Sequence, residues 1–247
     1  MIETTADAPG MRQPAARVGA VAPPPRHSAT VRVTHWITAV CFLALLVTGV
    51  EILISHPRFY WGESGNVQMK PLFTLPIPAS RGSVNTGYGF VLKDQNSWSR
   101  SLHFQAGWLL VFAALCYGVH GLRSGHFRRN LLPASGDLVW ERMAATLRDK
   151  PRWEYNAVQR LTYLAVVFVL FPLMIWTGLA MAPGFVAGYP WVAGVWGGQQ
   201  SARTIHFAAT VLLLIFVIGH VAMVYRAGFG KRTRAMVTGY ESGRGGQ

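Results

Sequence analysis

Histidine is the most informative residue type in this chain, because five of its eight histidines fall within long apolar segments: His35, His103, His120, His206 and His220. Ionisable side chains at membrane depth are rare, usually functional, and tend to face the interior of a helix bundle. Neutral imidazole binds iron, and histidine can also carry protons. The pattern predicts either haem-iron coordination or a proton relay or binding site inside a membrane protein.

The spacing of two of these histidines favours coordination. His206 and His220 are fourteen residues apart in one apolar segment. Fourteen helical steps fall about 40° short of four full turns, so both rings point to nearly the same face, about 21 Å apart along the axis. One helix face would therefore present two imidazoles at two depths.

The elements that position these residues are four apolar segments. The chain is 51% hydrophobic and only 13% charged, whereas about a quarter of the residues in a soluble domain are charged. Each segment can cross a hydrocarbon layer of roughly 30 Å, which takes about 20 helical residues. The sequence predicts an all-α integral membrane protein, a four-transmembrane-helix bundle over residues 33–228 with helices at about 33–54, 102–122, 158–182 and 203–225.

The distribution of the +13 charge predicts the orientation of the bundle. Residues 1–32 carry four Arg, the 121–157 connection carries seven Lys or Arg, and the segment after Tyr225 carries five, while 183–202 has no charged residue. Short basic connections stay in the cytoplasm. Both termini are expected to be cytoplasmic, so the charge reflects topology and attraction to the lipid membrane, and nucleic acid is not an expected partner.

The segments outside the helices follow from this topology. Residues 1–32 are expected to form a disordered basic cytoplasmic tail, and residues 229–247 a second cytoplasmic tail. The connection 55–100 is expected to be periplasmic. It is rich in Gly, Pro and aromatic residues, and loops of this length are either functional or disordered. Its aromatic content favours an ordered, irregular cap.

The same topology predicts which histidines meet. The first helix runs from inside to outside, which brings His35 level with His220 near the inner surface. The second helix runs the other way, which brings His103 level with His206 near the outer surface. Two imidazoles on facing helices satisfy a six-coordinate haem iron, and bundle cores commonly hold such cofactors. We expect two b-type haems, one above the other, with all four histidines as ligands of haem iron.

Other residues have candidate roles beside the haems. Gly49 and Gly107 could make room for a porphyrin or simply allow close helix packing. Arg203 could pair with a haem propionate or extend towards the lipid headgroups. His120 lies about 100° from His103 around the second helix, so it suits a quinone pocket, a proton path or an interfacial position, and it remains a fallback ligand for the inner haem.

Further features limit the chemistry. Both cysteines, Cys41 and Cys116, lie inside predicted helices, and the chain has no CxxC, HExxH, GxSxG or GxGxxG motif. These absences argue against a zinc ribbon, an iron–sulfur cluster or c-type haem, and no catalytic residue is assigned. A weak echo links "LLVTGVEI" in the first helix to "MIWTGLAM" in the third, which has no histidine, and Pro172 predicts a kink there.

The histidine pattern resembles a known family. "RVTHW" opens the first helix, "RSLHFQAGW" the second, and "RTIHF" with "IGH" marks the fourth. Over about residues 30–228 this is similar to the bacterial di-haem cytochrome b superfamily, which includes the cytochrome b561 type and the membrane subunits of nickel–iron hydrogenase and formate dehydrogenase. The loop "HPRFYWGESGN" looks most like the thiosulfate-reductase-type branch. The family's ligand pairing maps onto His35 with His220 and His103 with His206.

The resemblance implies a function. It implies an electron-transfer subunit of the bacterial inner membrane that links the quinone pool to a periplasmic oxidoreductase, often a molybdopterin enzyme. The alternatives are a stand-alone membrane metal or ferric reductase, and a haem-free transporter or anchor whose histidines relay protons. Whether the chain forms a homo-oligomer stays open.

Overall fold

The computed structural model describes Pro25 and residues 27–65, 68–77, 96–132 and 157–240, and this part of the chain is mostly helical. In chain order the elements are α1 (Ala29–Ser55), β1 (Arg58–Phe59), β2 (Phe73–Thr74), α2 (Asn96–Arg123), a π-helical turn (Phe127–Leu131), α3 (Ala157–Ala180), α4 (Pro183–Gly188), α5 (Trp191–Gly194), α6 (Gln199–Arg226) and α7 (Phe229–Thr238).

Four of these helices, α1, α2, α3 and α6, are long and apolar enough to cross a membrane. Their outward faces carry large exposed apolar side chains, which a water-soluble protein would not leave in continuous stripes. Examples are Val40, Leu43, Val47, Phe112, Leu115, Ile215 and Ile218. The expected four-helix integral membrane fold is confirmed.

Three of the four long helices begin well before the apolar runs that predicted them, whereas α3 ends at Ala180, two residues before its predicted end. α1 begins at Ala29, α2 at Asn96 and α6 at Gln199, each several residues before the predicted start. Hydropathy marks only the part of a helix that lies in hydrocarbon, whereas the backbone can continue helically through the polar interface. At the start of α1, Ser28 caps the helix by accepting a hydrogen bond from the Val31 amide at 3.3 Å.

The third membrane helix, α3, is continuous but changes its winding. Its π-helical part, Val166–Leu170, separates α-helical parts at Ala157–Ala165 and Phe171–Ala180. Pro172 lies just after the π-helical part. Proline lacks an amide hydrogen, and its ring clashes with the carbonyl four residues earlier, here that of Phe168. A wider turn at this point removes that conflict, so the irregularity expected at Pro172 takes the form of a π-bulge.

The four long helices pack as two pairs. α1 lies along α2, and α3 lies along α6, and the closest backbone approaches are within each pair rather than between them. The bundle has two distinguishable ends. The capped end carries the β1–β2 strands over the start of α6, and the tail end carries the start of α1 against α7.

The capped end is ordered where the structure describes it. Phe59 is buried in a cluster of three rings: it stacks on Phe73 and meets Phe207 at a tilt, at ring-centroid distances of 4.6 and 4.7 Å. Thr204 donates a hydrogen bond to the Tyr60 carbonyl at 2.8 Å. Gly198 has φ +118°, and a Cβ there would lie 2.5 Å from the Glu63 nitrogen, so only glycine fits. Residues 55–65 and 68–77 of the connection form this ordered cap, while residues 66–67 and 78–95 lie outside the described residues.

The tail end of the bundle contains the helix α7, which lies within the segment 229–247 predicted to be a cytoplasmic tail. α7 follows α6 after a short turn and is held against α1 by two hydrogen bonds. Arg32 Nη1 donates to the Val237 carbonyl at 2.8 Å, and Trp36 Nε1 donates to the Met236 carbonyl at 3.2 Å. Its lysine and arginines led to the tail assignment, but basic amphipathic helices suit a membrane surface. Residues 1–24, 26 and 241–247 of the predicted tails lie outside the described residues.

Candidate haem site

Four of the five histidines in the apolar segments face one another in two pairs. The ring centroids of His103 and His206 are 6.4 Å apart, with their planes inclined at 58°. Those of His35 and His220 are 6.3 Å apart, with planes at 52°. The first pair lies near the capped end and the second near the tail end. Each pair joins α6 to the opposite helix pair, across the gap between the two pairs of helices.

The separation within each pair matches two ligands of one metal. Imidazoles that bind one iron from opposite sides, through bonds of about 2 Å, place their ring centroids about 6.3 Å apart. A direct hydrogen bond between ring nitrogens, at about 2.9 Å, would bring the centroids to about 5 Å. Both pairs have the longer spacing, so the rings are too far apart for direct proton exchange and are spaced for an iron between them.

The two rings near the capped end are anchored by threonine hydroxyls. His103 Nδ1 lies 2.9 Å from Thr48 Oγ1, and His206 Nδ1 lies 2.9 Å from Thr177 Oγ1. Both threonines are fully buried. Because the hydroxyls engage Nδ1, the Nε2 atoms are the ring nitrogens left for a metal. This is the hydrogen-bonding pattern usual for metal-binding histidine.

The two rings near the tail end have different surroundings. His220 Nδ1 lies 3.4 Å from the Tyr163 hydroxyl, and its ring stacks on Phe216 at 5.8 Å. The His35 ring meets Trp36 edge-on at 5.3 Å. Its Nδ1 is buried and has no hydrogen-bond partner within the described residues. A buried nitrogen without a partner is costly, which marks this pair as a site for a further group.

Glycines line the helices beside the rings. A Cβ at Gly49 would lie 3.7 Å from His103 Cε1, and a Cβ at Gly178 would lie 3.7 Å from His206 Cε1. At Gly107, one turn after His103, and at Gly219, next to His220, a Cβ would meet nothing within 4 Å. Among the described residues, no protein atom fills the space beside these two glycines, which leaves room for a further group there.

Arg203 lies in the cap of the bundle. Its Nη2 donates to the carbonyls of His56 and Arg58 at 2.5 and 2.7 Å, its Nη1 donates to Gln200 Oε1 at 3.1 Å, and the guanidinium lies 4.8 Å from the centre of the Phe59 ring. These contacts fix β1 over the start of α6, three residues before His206. The propionate role of Arg203 stays a prediction, and its observed contacts are with two backbone carbonyls, the Gln200 side chain and the Phe59 ring.

His120 is placed apart from the two imidazole pairs. Its Nε2 lies 3.0 Å from Ser28 Oγ, and it borders a cavity of about 640 Å³ at the tail end. The cavity is lined by Thr30, Leu115, Cys116, Val119, His120, Arg123 and Ser124. His120 thus faces neither ring pair, in keeping with the 100° offset between it and His103.

The residues present suit haem better than a bare metal ion. Among the residues that the structure describes, no group of three or more His, Cys, Asp or Glu side chains could hold a metal ion. Haem needs fewer protein ligands, because the porphyrin supplies four nitrogens and the protein only the axial pair. Two imidazoles at a bridging distance, in a gap beside glycines, fit that requirement at both ends.

Sequence reasoning missed the three side chains whose hydroxyls approach the Nδ1 atoms of the rings, which are Thr48, Thr177 and Tyr163, and also the Phe216 ring that stacks on His220. The signal for the threonines was present, because the echo between "LLVTGVEI" and "MIWTGLAM" aligns Thr48-Gly49 with Thr177-Gly178. The structure explains the echo, since each Thr-Gly unit faces the histidine of its packed partner helix. No sequence signal pointed to Tyr163.

Comparison with known proteins agrees with this geometry. The prokaryotic cytochrome b561 family matches residues 26–239. A putative protein-methionine-sulfoxide reductase subunit, YedZ1, from Azospira oryzae is 29% identical over 208 residues, covering 80% of this chain and 89% of the relative. Probable Ni/Fe-hydrogenase B-type cytochrome subunits from Bradyrhizobium diazoefficiens and Cupriavidus necator are each 26% identical, covering 81% and 87% of this chain and 77% and 86% of the relatives.

These relatives are not named as members of the thiosulfate-reductase-type branch. The assignment of the chain to that branch therefore stays a prediction. The superfamily expected from the histidine pattern is confirmed, and with it a haem-binding, multi-pass membrane protein of electron transport. With the family match extending over most of the sequence, from before α1 to the end of α7, the chain belongs to the prokaryotic cytochrome b561 family.

Proposed function

We propose that this protein is a di-haem electron-transfer subunit that connects the quinone pool to a periplasmic oxidoreductase. The observation that carries the proposal is the presence of two imidazole pairs with centroids 6.3 and 6.4 Å apart, one near each end of the bundle. One pair would suffice for a single haem. Two pairs, about 21 Å apart along α6, provide one site near each membrane surface.

The proposed ligand sets are His35 with His220 for the inner haem and His103 with His206 for the outer haem. When bound, haem iron supplies reversible one-electron transfer. The chain's own residues fix the axial nitrogens, exclude water and provide a low dielectric, which tune a cofactor without taking part in the chemistry. Gly49 and Gly107 would border the outer porphyrin, and Arg203 remains the candidate partner for one of its propionates.

Charge and the relatives support the orientation and the partner. We propose that the protein lies in the inner membrane of a bacterium. Its tail end would face the cytoplasm, because the basic segments lie at that end. The capped end then faces the periplasm. Relatives named as subunits of a reductase and of hydrogenases support a partner oxidoreductase subunit here, and we propose that it docks at the capped end and is molybdopterin-dependent.

We place quinone exchange at the tail end, in the cavity beside His120. The cavity is bounded by the lipid-facing side chains of Leu115 and Val119 and by polar groups of His120, Arg123 and Ser124. An apolar entrance suits an isoprenoid quinone arriving from the bilayer, and the Arg123 guanidinium and the His120 ring can donate hydrogen bonds to its ring carbonyls, whereas the Ser124 hydroxyl already donates to the His120 carbonyl at 2.6 Å. The site would lie at the same end as the inner imidazole pair.

Replacing His120 with alanine is expected to leave both haems in place and to weaken quinol binding. Loss of one hydrogen bond corresponds to about 0.5–1.5 kcal/mol, a rise of roughly two- to tenfold in KM for a soluble quinol. Haem content and quinol-driven haem reduction would be measured together. Ser28→Ala, which removes the side chain that contacts His120, controls for the loss of that contact.

Either of two results would contradict this assignment. Loss of a haem in His120→Ala would return His120 to the ligands, and an unchanged KM would remove it from the quinone cavity.

The experiment that tests the proposal is a pyridine haemochrome assay combined with a reduced-minus-oxidised spectrum of the detergent-purified protein. We expect two b-type haems per chain, each six-coordinate and low-spin. One haem per chain would refute the di-haem arrangement. A haem-free proton relay predicts no visible absorbance, and a ferric reductase predicts turnover of ferric chelates by the chain without any partner subunit.

A further inference from the structure

The Thr-Gly units are a structural repeat that relates the two helix pairs. Thr48 on α1 contacts His103 on α2, and Thr177 on α3 contacts His206 on α6, each at 2.9 Å. The glycines that follow them are placed equally beside the same rings, because a Cβ added at either glycine would lie 3.7 Å from Cε1 of the ring. Each helix that lacks a histidine at this level thus supports the histidine of the helix packed against it.

Both threonine hydroxyls have their proton committed elsewhere. Thr48 Oγ1 donates to the Ala44 carbonyl at 2.7 Å, and Thr177 Oγ1 donates to the Leu173 carbonyl at 2.6 Å. A hydroxyl has one proton to donate but can accept through its lone pairs. Towards the imidazoles these hydroxyls can therefore only accept, so the Nδ1 atoms of His103 and His206 must carry the ring hydrogen. A neutral imidazole has one such hydrogen, which leaves Nε2 with a free lone pair.

The inner pair lacks this arrangement. The Tyr163 hydroxyl is 3.4 Å from His220 Nδ1, beyond the usual range for a strong hydrogen bond. His35 Nδ1 is buried without a partner among the described residues. The two ends of the bundle thus offer ligand pairs of the same type with unequal hydrogen bonding.

We propose that Thr48 and Thr177 are positioning residues that fix the tautomer and ring orientation of the outer ligands and lower the redox potential of the outer haem. An acceptor at Nδ1 makes the imidazole a more basic ligand, and a more basic ligand favours ferric over ferrous iron. This inference rests on the proposed function, because it requires His103 and His206 to hold a haem.

The test compares threonine variants that differ only in the hydroxyl. Thr48→Val and Thr177→Val keep the shape and remove the hydroxyl acceptor, while Thr48→Ser and Thr177→Ser retain it. The backbone carbonyls of Leu45 and Met174, which also hydrogen-bond the His103 and His206 rings, are the same in all four variants, so the comparison isolates the hydroxyl. Thr34→Val is the matched control, because Thr34 is also buried on α1 and donates to the carbonyl four residues earlier, at 2.8 Å, without an imidazole contact. The readouts are haem content, a potentiometric titration, and the low-spin EPR signal, whose largest g value depends on the angle between the ligand planes.

We expect the valine variants to raise the potential of one haem and to change its EPR signal, while the serine variants and Thr34→Val resemble the parent. A tenfold loss of preference for ferric iron corresponds to about 59 mV for one electron. Loss of the outer haem in a valine variant, with retention in the matching serine variant, would also support the role of the hydroxyl.

Two results would overturn the inference. The first is a valine variant with the parent's potential and EPR signal. The second is an equal change in the valine and serine variants, which would show that methyl packing rather than hydrogen bonding is responsible. Failure of the proposed function looks different, because the parent itself would then lack a second haem, or His103→Ala would keep the outer one.

Discussion

Replacing His206 with alanine is expected to remove the outer haem and leave the inner haem in place. The His206 ring faces the His103 ring, with centroids 6.4 Å apart, and its loss would leave His103 as the only histidine of this pair able to hold the outer haem. The inner pair lies about 21 Å away along α6 and shares no contact with the His206 ring. The haem-to-protein ratio should fall by half, and the remaining haem should keep its parental spectrum and potential.

The matched variant for this experiment is His103→Ala, which removes the other ligand of the same pair and should give the same single-haem protein. His126→Ala serves as a negative control, because His126 contacts Tyr117 and Phe127 and faces neither imidazole pair. An intact two-haem spectrum in His206→Ala would contradict the ligand assignment. Loss of both haems in His206→Ala but not in His126→Ala would show that the two sites are not independent.

The large-scale arrangement was predictable because it follows from constraints that act along the sequence. Apolar runs of about 20 residues identify membrane helices, and the distribution of basic residues predicts their orientation. Once four helices and their directions are assumed, the depth of each histidine follows from its distance from the helix end. The meeting of His103 with His206, and of His35 with His220, is therefore a consequence of spacing and topology, and the structure brings these rings together.

The contacts around the rings were not predictable in the same way. The echo between the first and third helices aligns Thr48 with Thr177 but assigns them no partner, and only the packing of α1 on α2 and of α3 on α6 brings their hydroxyls to the imidazoles. Tyr163 reaches His220 through the same kind of interhelical contact. Such contacts depend on helix rotation within the bundle, which periodicity does not define when a helix is apolar on most of its faces.

The structure at the two ends of the bundle was harder still to predict from the sequence, because hydropathy and periodicity say little about polar segments. The expected propionate role of Arg203 stays a prediction, and its contacts with the carbonyls of His56 and Arg58, which organise the cap, were not foreseen. α7 was read as part of a tail because its basic residues dominate its composition. In both cases a charged side chain binds backbone carbonyls or covers a helix end, which composition alone does not reveal.

Replacing His220 with alanine is expected to remove the inner haem and to disconnect the outer haem from quinol. His220 pairs with His35 at 6.3 Å near the tail end, where we place the quinone. Without that pair, an electron from the cavity beside His120 would have to reach the outer site directly across most of the membrane. Dithionite should still reduce the remaining outer haem fully, whereas its reduction by a soluble quinol should fall to background, measured by stopped-flow absorbance.

The reciprocal variant, His206→Ala, shows at which end of the bundle quinol delivers its electrons. In His206→Ala the remaining inner haem should still be reduced by quinol at the parental rate, because the quinone cavity and the inner pair are untouched. Quinol reduction of the outer haem in His220→Ala at the parental rate would instead place the quinone at the capped end. If the quinone site is at the tail end, quinol-driven reduction is lost when the inner ligand is removed and kept when the outer ligand is removed. The two variants together therefore determine which haem receives the electron first.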